Sequence, residues 1–266
     1  MTQNQNDHLE NHVVRDSVER KAALLRMSHE LGRDDLRMAI LGEGNTSTRV
    51  GPDTFLVKAS GSSLRTLTPN DVVECRMSAL LPLMKDTHLG DSDVDAALFA
   101  SRIDPNGKKP SLEALFHASL LSLPDVEFVG HAHATAVAQI LCSPRAREFA
   151  SHRIVPDEIV CCGVASVYVP YADPGLELAR QIRRGVMTFV EQHARSPRVI
   201  LLENHGIITI GRTPEAVVSA MLMAEKVANI WVGAAALGGP VFLKQEQVER
   251  IADRPDEKYR QKVLSL

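Results

Sequence analysis

The chain has 266 residues, of which 44% are hydrophobic and 24% are charged, and its formal net charge is −3. This composition is ordinary for a globular protein, and the scattered basic residues argue against nucleic acid as a partner. No apolar run is long and unbroken enough to predict a membrane span, and the polar N-terminus lacks the apolar core of a signal peptide. The four cysteines include no CxxC pair, which indicates reduced thiols. We therefore expect a cytoplasmic protein that forms one domain over residues 1–266.

The first predicted elements are a helix and a β-hairpin. Over residues 13–33 apolar and charged positions alternate at helical spacing, and Gly32 is a candidate C-cap. Residues 46–50 and 54–58 flank the turn sequence GPD and predict two paired strands. The segment DSDVDAAL at residues 91–98 lacks the glycine and the final acid of a calcium loop. We predict it to be a solvated surface insertion.

Two further helices and several short strands are predicted in the rest of the chain. One helix follows a candidate N-cap at Ser111, and a longer one opens at Thr213-Pro214. The strand candidates lie at residues 126–141, 165–169, 198–203 and 207–210. Because these strands follow one another as hairpins more often than as βαβ units, we predict a mostly antiparallel sheet with helices on both faces. The fold class is therefore expected to be α/β.

Two histidines stand one residue apart in the apolar run EFVGHAHATAVAQIL, which extends from Glu127 to Leu141. If this run is a strand, His131 and His133 face the same side with Cα atoms roughly 6.5 Å apart. Two imidazoles at this separation can bind one divalent cation. The alternative is a pair of core histidines that are hydrogen-bonded to backbone carbonyls or water. The run by itself leaves both interpretations open.

A third candidate ligand is His205, in the sequence RVILLENHGIITIG. An apolar strand leads into Asn204-His205-Gly206 and a second apolar strand returns, so the corner directs the histidine out of the end of the sheet. The alternative is a turn histidine that faces solvent. Taken together, His131, His133 and His205 match an open zinc site with three histidine ligands.

A metal centre of this kind needs a group that moves protons, and Glu113 is the candidate. It lies at the start of the helix that precedes the HxH run, four residues before His117. The alternative is an acid that is favoured at this position by the helix dipole alone. We interpret His117 as a core residue or a residue behind the ligands rather than as a fourth ligand.

Two Gly-rich stretches could bind an anion: LGEGNTSTR, from Leu41 to Arg49, and VKASGSSL, from Val57 to Leu64. Neither is a Walker A loop or a dinucleotide-binding sequence. Each alone is typical of a simple turn. Their backbone amides and their Asn, Ser and Thr groups can also form a nest for phosphate.

In this order the motifs resemble those of the class II aldolase/adducin family: GEGNTS, a strand that ends in KASG, PSLEALFH, VGHAHATAVA, and VILLENHGIITIGRTPEA. The resemblance covers about residues 15–235. It implies a three-layer α/β/α fold with a central antiparallel sheet, and a tetramer with active sites at subunit boundaries. It also implies that His131, His133 and His205 bind zinc, or another divalent metal such as manganese or cobalt, and that Glu113 is the acid/base residue. The substrate phosphate would lie at Gly44, Asn45, Ser60, Gly61 and Ser111.

Two features depart from the family pattern. The family's aldolases commonly have a Ser-Ser-Glu triplet, whereas this chain has Leu112 between Ser111 and Glu113 and so lacks one hydroxyl. A tyrosine that often donates a proton in these enzymes is absent from residues 149–160, and Tyr171 matches a different family tyrosine.

The resemblance implies a metal-dependent lyase that cleaves a ketose phosphate or a related sugar acid phosphate through a zinc-stabilised enediolate. The alternatives are dehydration, 4-epimerisation or decarboxylation at the same metal site, and a non-catalytic module like the adducin head. We expect a small sugar phosphate as substrate, with neither nucleic acid nor membrane as a partner. A homo-oligomer, specifically a tetramer, is also expected from small residues on the last long helix: Ala220, Ala224, Ala228 and residues 234–236.

Overall fold

The structure is a computed structural model that describes residues 3–86 and 88–265, with side chains for residues 17–86, 88–90 and 92–265. In this part of the chain the strands are β1 Asn45–Arg49, β2 Thr54–Lys58, β3 Val72–Arg76, β4 Phe128–Ala132, β5 Val167–Val169, β6 Val199–Leu202 and β7 Gly206–Gly211. The α-helices are α1 Gln3–Leu31, α2 Met77–Leu80, α3 Asp91–Ser101, α4 Ala114–Leu121, α5 Thr135–Leu141, α6 Ala146–Ser151, α7 Pro156–Cys162, α8 Leu176–His193, α9 Pro214–Ala235, α10 Gln245–Asp253 and α11 Pro255–Val263.

The seven described strands form one sheet in the order β3-β2-β1-β4-β7-β6-β5. The strands β5 and β6 are parallel, and every other neighbouring pair in this sheet is antiparallel. The prediction of a mostly antiparallel sheet is therefore confirmed. Strand β4, which carries the first of the two HxH histidines, lies in the middle of the sheet between β1 and β7.

Helices cover both faces of the sheet, and β6 shows how the sequence produces this arrangement. Val199 and Leu201 pack into the apolar cluster that includes α1, α5 and α9, whereas Ile200 and Leu202 pack into the cluster that includes α4 and α8. A strand that is apolar at every position can bury both faces in this way, because successive side chains point to opposite sides. The predicted three-layer α/β/α fold is confirmed.

The strand candidate at residues 126–141 was too long. Strand β4 ends at Ala132, and α5 begins at Thr135. Its partner β7 begins at Gly206, so the antiparallel ladder ends where the NHG corner begins. Ala136, Val137, Ile140 and Leu141 then lie on one buried face at helical spacing.

The prediction of a solvated insertion at residues 91–98 was wrong. These residues begin helix α3, in which Val94 and Leu98 are four positions apart and are buried in the core. The carboxylate of Asp93 accepts a hydrogen bond from the Gly90 N–H at 2.9 Å, which satisfies a free backbone donor at the helix start. Helix α4 also begins later than predicted, at Ala114, because the N–H of Ser111 is bonded to the carbonyl of Lys58.

Helix α9 is long and apolar enough to cross a membrane by length and composition alone. One face of it, with Ala220, Ala224 and Ala228, is buried within the chain, as in a core helix. These small residues therefore pack against their own chain and cannot form the subunit contact for which we selected them. The tetramer stays a prediction.

Candidate metal centre

Strand pairing brings the candidate site residues to one edge of the sheet. In the ladder between β1 and β4, Asn45 lies opposite His131. In the ladder between β4 and β7, His131 and Ala132 lie opposite Ile208 and Ile207, so the corner that precedes β7 lies beside the end of β4. His205 occupies this corner, which turns through Asn204 in the left-handed backbone region at φ 52°. The hairpin therefore places His205 next to the HxH pair.

The three predicted ligands form one cluster, which we call the histidine cluster: His131, His133 and His205. One ligating nitrogen from each lies within 4.8 Å of the other two. The Nε2 atoms of His131 and His133 are 3.3 Å apart. The backbone N–H of His133 donates to the carbonyl of Met38 at 2.8 Å, which fixes this residue just beyond the end of the strand.

The protonation of the cluster suits a cation. His131 Nδ1 lies 3.0 Å from the carbonyl oxygen of Ile207. A carbonyl only accepts, so Nδ1 carries the proton and Nε2 presents its lone pair to the cluster. Burial, and then the charge of His133, lower the pKa of His131 to about 3. Burial, and then the charge of His131, lower the pKa of His205 to about 4, although Glu113 opposes this shift. Both rings are therefore neutral near pH 7.

Glu113 lies immediately beside the histidine cluster. Its Oε1 is 3.5 Å from His205 Nε2, and its Oε2 is 3.6 Å from His131 Nε2. The side chain is only 13% exposed. Three neutral imidazoles with a carboxylate next to them are a donor set typical of zinc, and they leave room for a further ligand. The residues present therefore fit a divalent metal ion.

A chain of hydrogen bonds holds the Glu113 carboxylate. Asn45 Nδ2 donates to Glu113 Oε2 at 2.5 Å, and Asn45 Oδ1 accepts from Nε2 of His117. Nδ1 of His117 accepts in turn from the hydroxyl of Ser47 at 2.6 Å. Burial holds the pKa of His117 well below its usual range, so the ring is neutral and each donor in the chain is defined. His117 is thus a buried support behind Glu113, as its sequence context indicated.

The predicted phosphate residues also lie together. The N–H of Ser60 donates to the carbonyl of Lys109 at 2.9 Å, and the N–H of Ser111 donates to that of Lys58 at 3.1 Å, so the segments 58–60 and 109–111 are paired. Asn45 Nδ2 lies 3.4 Å from the hydroxyl of Ser111. The two Gly-rich loops, defined here as residues 41–45 and 59–63, therefore flank Ser111 and Glu113.

Gly44 and Gly61, one in each Gly-rich loop, both have a left-handed backbone, with φ of 66° and 77°. A Cβ on Gly44 would lie 2.5 Å from the carbonyl oxygen of His131, whereas a Cβ on Gly61 would meet nothing within 4 Å. The first loop is thus packed tightly against the histidine strand, and the second faces open space.

Sequence reasoning missed two charged residues at the site. Glu43 Oε1 lies 3.7 Å from His133 Nδ1. Lys58, at the end of β2, is only 2% exposed, and its Nζ donates to the carbonyls of Gly42 at 2.9 Å and Ser62 at 2.5 Å. The available signal was the position of Lys58 two residues after the buried Leu56, on the same face of the strand.

The two departures noted in the sequence lie near each other. The side chain of Leu112 is 37% exposed and approaches the backbone of Gly175. Tyr171, in the same loop as Gly175, is 55% exposed, and its hydroxyl donates to Asp173 at 3.0 Å. Leu112 therefore presents an apolar surface next to Ser111 and Glu113, where a hydroxyl was expected from the family pattern.

The three-layer fold and the histidine cluster with its carboxylate define an α/β protein with a divalent-metal centre at the edge of the sheet. Residues 22–232 match the family model of the class II aldolase and adducin N-terminal domain, and the chain belongs to this family. Members of the family are lyases, decarboxylases among them, and are typically dependent on a divalent metal.

Three relatives illustrate the range of the family. A Bacillus subtilis protein named uncharacterized oxidoreductase YuxG is 31% identical over 182 residues, and the match covers 65% of this chain but only 24% of that protein. A 5-methylthioribulose-1-phosphate/5-deoxyribulose-1-phosphate aldolase from Rhodospirillum rubrum is 26% identical, with 79% and 80% of the two chains covered. A 3-oxo-tetronate 4-phosphate decarboxylase from Haemophilus influenzae is 28% identical, with 64% and 67% covered.

The fold itself is shared with a solved L-fuculose 1-phosphate aldolase. That structure matches with a TM-score of 0.67 at 20% identity, and the match covers 91% of this chain and 96% of the other. At this identity the comparison shows the fold alone.

Proposed function

We propose that this protein is a metal-dependent lyase of the aldolase type that cleaves a ketose phosphate or a related sugar acid phosphate. The observation that carries the proposal is the position of Glu113, whose two carboxylate oxygens lie 3.5 and 3.6 Å from Nε2 of His205 and His131. A carboxylate in this position can exchange protons with a substrate that is held at the cluster.

The proposed cofactor is zinc, with manganese or cobalt as alternatives, held by His131, His133 and His205. When bound, such an ion polarises a carbonyl and stabilises the negative charge that develops on its oxygen. Glu43, at 3.7 Å from His133 Nδ1, would orient that ring from behind.

Glu113 is proposed to move the proton. In a cleavage of this type the bond between two carbons breaks, one fragment leaves as an aldehyde, and the electron pair remains on the carbon next to the carbonyl. Glu113 would return a proton to that carbon. The Asn45 carboxamide, which is oriented by His117, would keep the carboxylate aimed at the reacting atoms.

The anionic end of the substrate is proposed to bind between the two Gly-rich loops. Ser60, Ser111 and Asn45 would supply hydroxyl and amide donors, and the backbone at Gly44 and Gly61 would allow a close approach. Leu112 would contribute one apolar contact in place of a hydroxyl.

Decarboxylation of a sugar acid phosphate is the second candidate, because the Haemophilus influenzae relative is a decarboxylase of a 3-oxo acid phosphate. Loss of CO₂ from a 3-oxo acid also leaves an electron pair on the carbon next to a carbonyl. The same cation and the same proton donor would therefore serve both reactions.

A substrate screen separates these candidates. Zinc-loaded protein is incubated with a panel of ketose 1-phosphates and 3-oxo acid phosphates, and aldehyde and CO₂ are measured in parallel. We expect release of an aldehyde that stops when a chelator removes the metal and resumes when zinc is restored. Metal-dependent release of CO₂ without aldehyde would replace lyase cleavage by decarboxylation. Stoichiometric zinc with neither product would contradict both proposals and favour a binding module.

A further inference from the structure

Lys58 is an unusual residue for its position. Lysine is rarely fully buried unless its charge is paired. Here the side chain is 2% exposed, and among the described residues no carboxylate forms a salt bridge with its ammonium group. Its two acceptors are backbone carbonyls, those of Gly42 and Ser62. A buried cation that is held by neutral dipoles alone still lacks a compensating negative charge.

The two acceptors belong to different loops. Gly42 lies in the first Gly-rich loop and Ser62 in the second, so one ammonium group links segments that are separated by the whole β1–β2 hairpin. A trans peptide directs its N–H opposite to its C=O, so the peptide that follows Ser62 directs the N–H of Ser63 away from Lys58. The link therefore fixes the orientation of peptide groups in both loops.

The charge of Lys58 also acts on the reacting part of the site. Burial lowers the pKa of Lys58, and the attraction of Glu113 opposes this shift. The same positive charge lowers the pKa of His117 and of His131. Lys58 is thus near enough to exert an electrostatic effect on the acid/base residue and on a ligand of the cluster.

We propose that Lys58 is a positioning residue that joins the two Gly-rich loops into one anion cradle and supplies the positive charge that attracts the anionic end of the substrate. It acts through the loops and does not touch the reacting atoms. This inference rests on the proposed function, because it assumes that an anion binds between these loops.

The test measures binding of inorganic phosphate to zinc-loaded protein by calorimetry. Lys58→Met removes the charge and both hydrogen bonds with a side chain of similar length, and Lys58→Arg keeps the charge and the donors. The matched control is Lys85→Met, which removes one exposed positive charge outside the site. We expect Lys58→Met to weaken phosphate binding about tenfold or more, since a charge-assisted contact of this kind contributes at least about 1.4 kcal/mol. We expect Lys58→Arg to recover most of the affinity and the control to match the wild type.

Two further readouts separate a positioning role from general support of the fold. Zinc content should be equal in the wild type and in Lys58→Met. Hydrogen exchange should become faster in residues 41–45 and 59–63 together, because both loops lose the same tether. In the wild type, phosphate should slow exchange in both loops at once. This last measurement needs no variant, so it still decides the question if Lys58→Met does not fold.

Several outcomes would overturn the proposal. These are unchanged phosphate affinity in Lys58→Met, an equal loss in Lys85→Met, loss of zinc together with phosphate, and protection of only one loop by phosphate. If the wild type binds phosphate and Lys58→Met binds it equally well, only the role of Lys58 fails. If the zinc-loaded wild type binds no phosphate, the proposed phosphate substrate fails and the role of Lys58 falls with it.

Discussion

The histidine cluster and the two Gly-rich loops lie at the same edge of the sheet, but different parts of the backbone hold them. His131 lies in β4, which is paired on both sides, and His205 lies in a hairpin corner that is closed by β6 and β7. The loops contain left-handed residues, among them Leu41 with φ 51°, and they are linked by a lysine side chain. The comparison teaches that the cation site is built from regular strand pairing, whereas the anion site depends on individual loop contacts.

Replacement of Glu113 should have the largest effect on activity, because this residue joins the two regions. Glu113→Gln keeps the shape of the side chain and should retain the metal, yet turnover should fall about 10²- to 10⁴-fold through loss of proton transfer. Rates and zinc content are measured side by side, with the exposed Glu191→Gln as the matched control. Turnover within a few-fold of the wild type would assign Glu113 to the helix terminus alone.

The glycines at positions 44 and 61 compare the two regions with one substitution. Both residues have positive φ, so alanine should cost about 1 kcal/mol of unfolding free energy at either position. Gly44→Ala should cost about 1–3 kcal/mol more, because its Cβ would lie 2.5 Å from the carbonyl oxygen of His131. Denaturant unfolding of the two variants measures the difference. Equal losses would show that the first loop yields as freely as the second.

The pH dependence of stability should report the histidine cluster in chelator-treated protein. Burial lowers the pKa of His131 to about 3 and of His205 to about 4, and the unfolded chain binds these protons near pH 6.5. Between these values the unfolded state holds more protons, so stability falls as the pH drops below 6.5. Each histidine contributes about 1.4 kcal/mol per pH unit until its folded pKa is reached.

A matched pair of variants tests this assignment. The slope between pH 4 and 6.5 should be smaller in His205→Gln and unchanged in His152→Gln, where the replaced histidine is exposed. Equal slopes in the two variants would contradict the assignment of the slope to the buried cluster.

The sequence predicted the cation site better than the anion site, for a physical reason. HxH in an apolar strand and NHG between two apolar strands place imidazoles by period and by corner geometry, and the ladders between β1, β4 and β7 bring them together. Lys58 gives no such signal, because a lysine at the end of a strand ordinarily reaches solvent. Its burial depends on two loops whose backbone path is set by tertiary contacts.

The errors in the fold have a similar origin. The end of β4 at Ala132 could not be read from an apolar run that suits both strand and helix, and it is set by the length of the partner strands. The acids of α3 indicated a surface, but Val94 and Leu98 lie on the opposite side of that helix and enter the core. The small residues of α9 pack inside the chain rather than between chains, which only the packed structure reveals.

The zinc content of purified protein tests the central claim most directly. Elemental analysis after exhaustive dialysis compares the wild type, Glu113→Gln, His205→Ala and the control His152→Ala. The histidine cluster predicts about one zinc per chain in the wild type, in Glu113→Gln and in the control, and loss of most of it in His205→Ala. Undiminished zinc in His205→Ala would contradict the assignment of the metal centre.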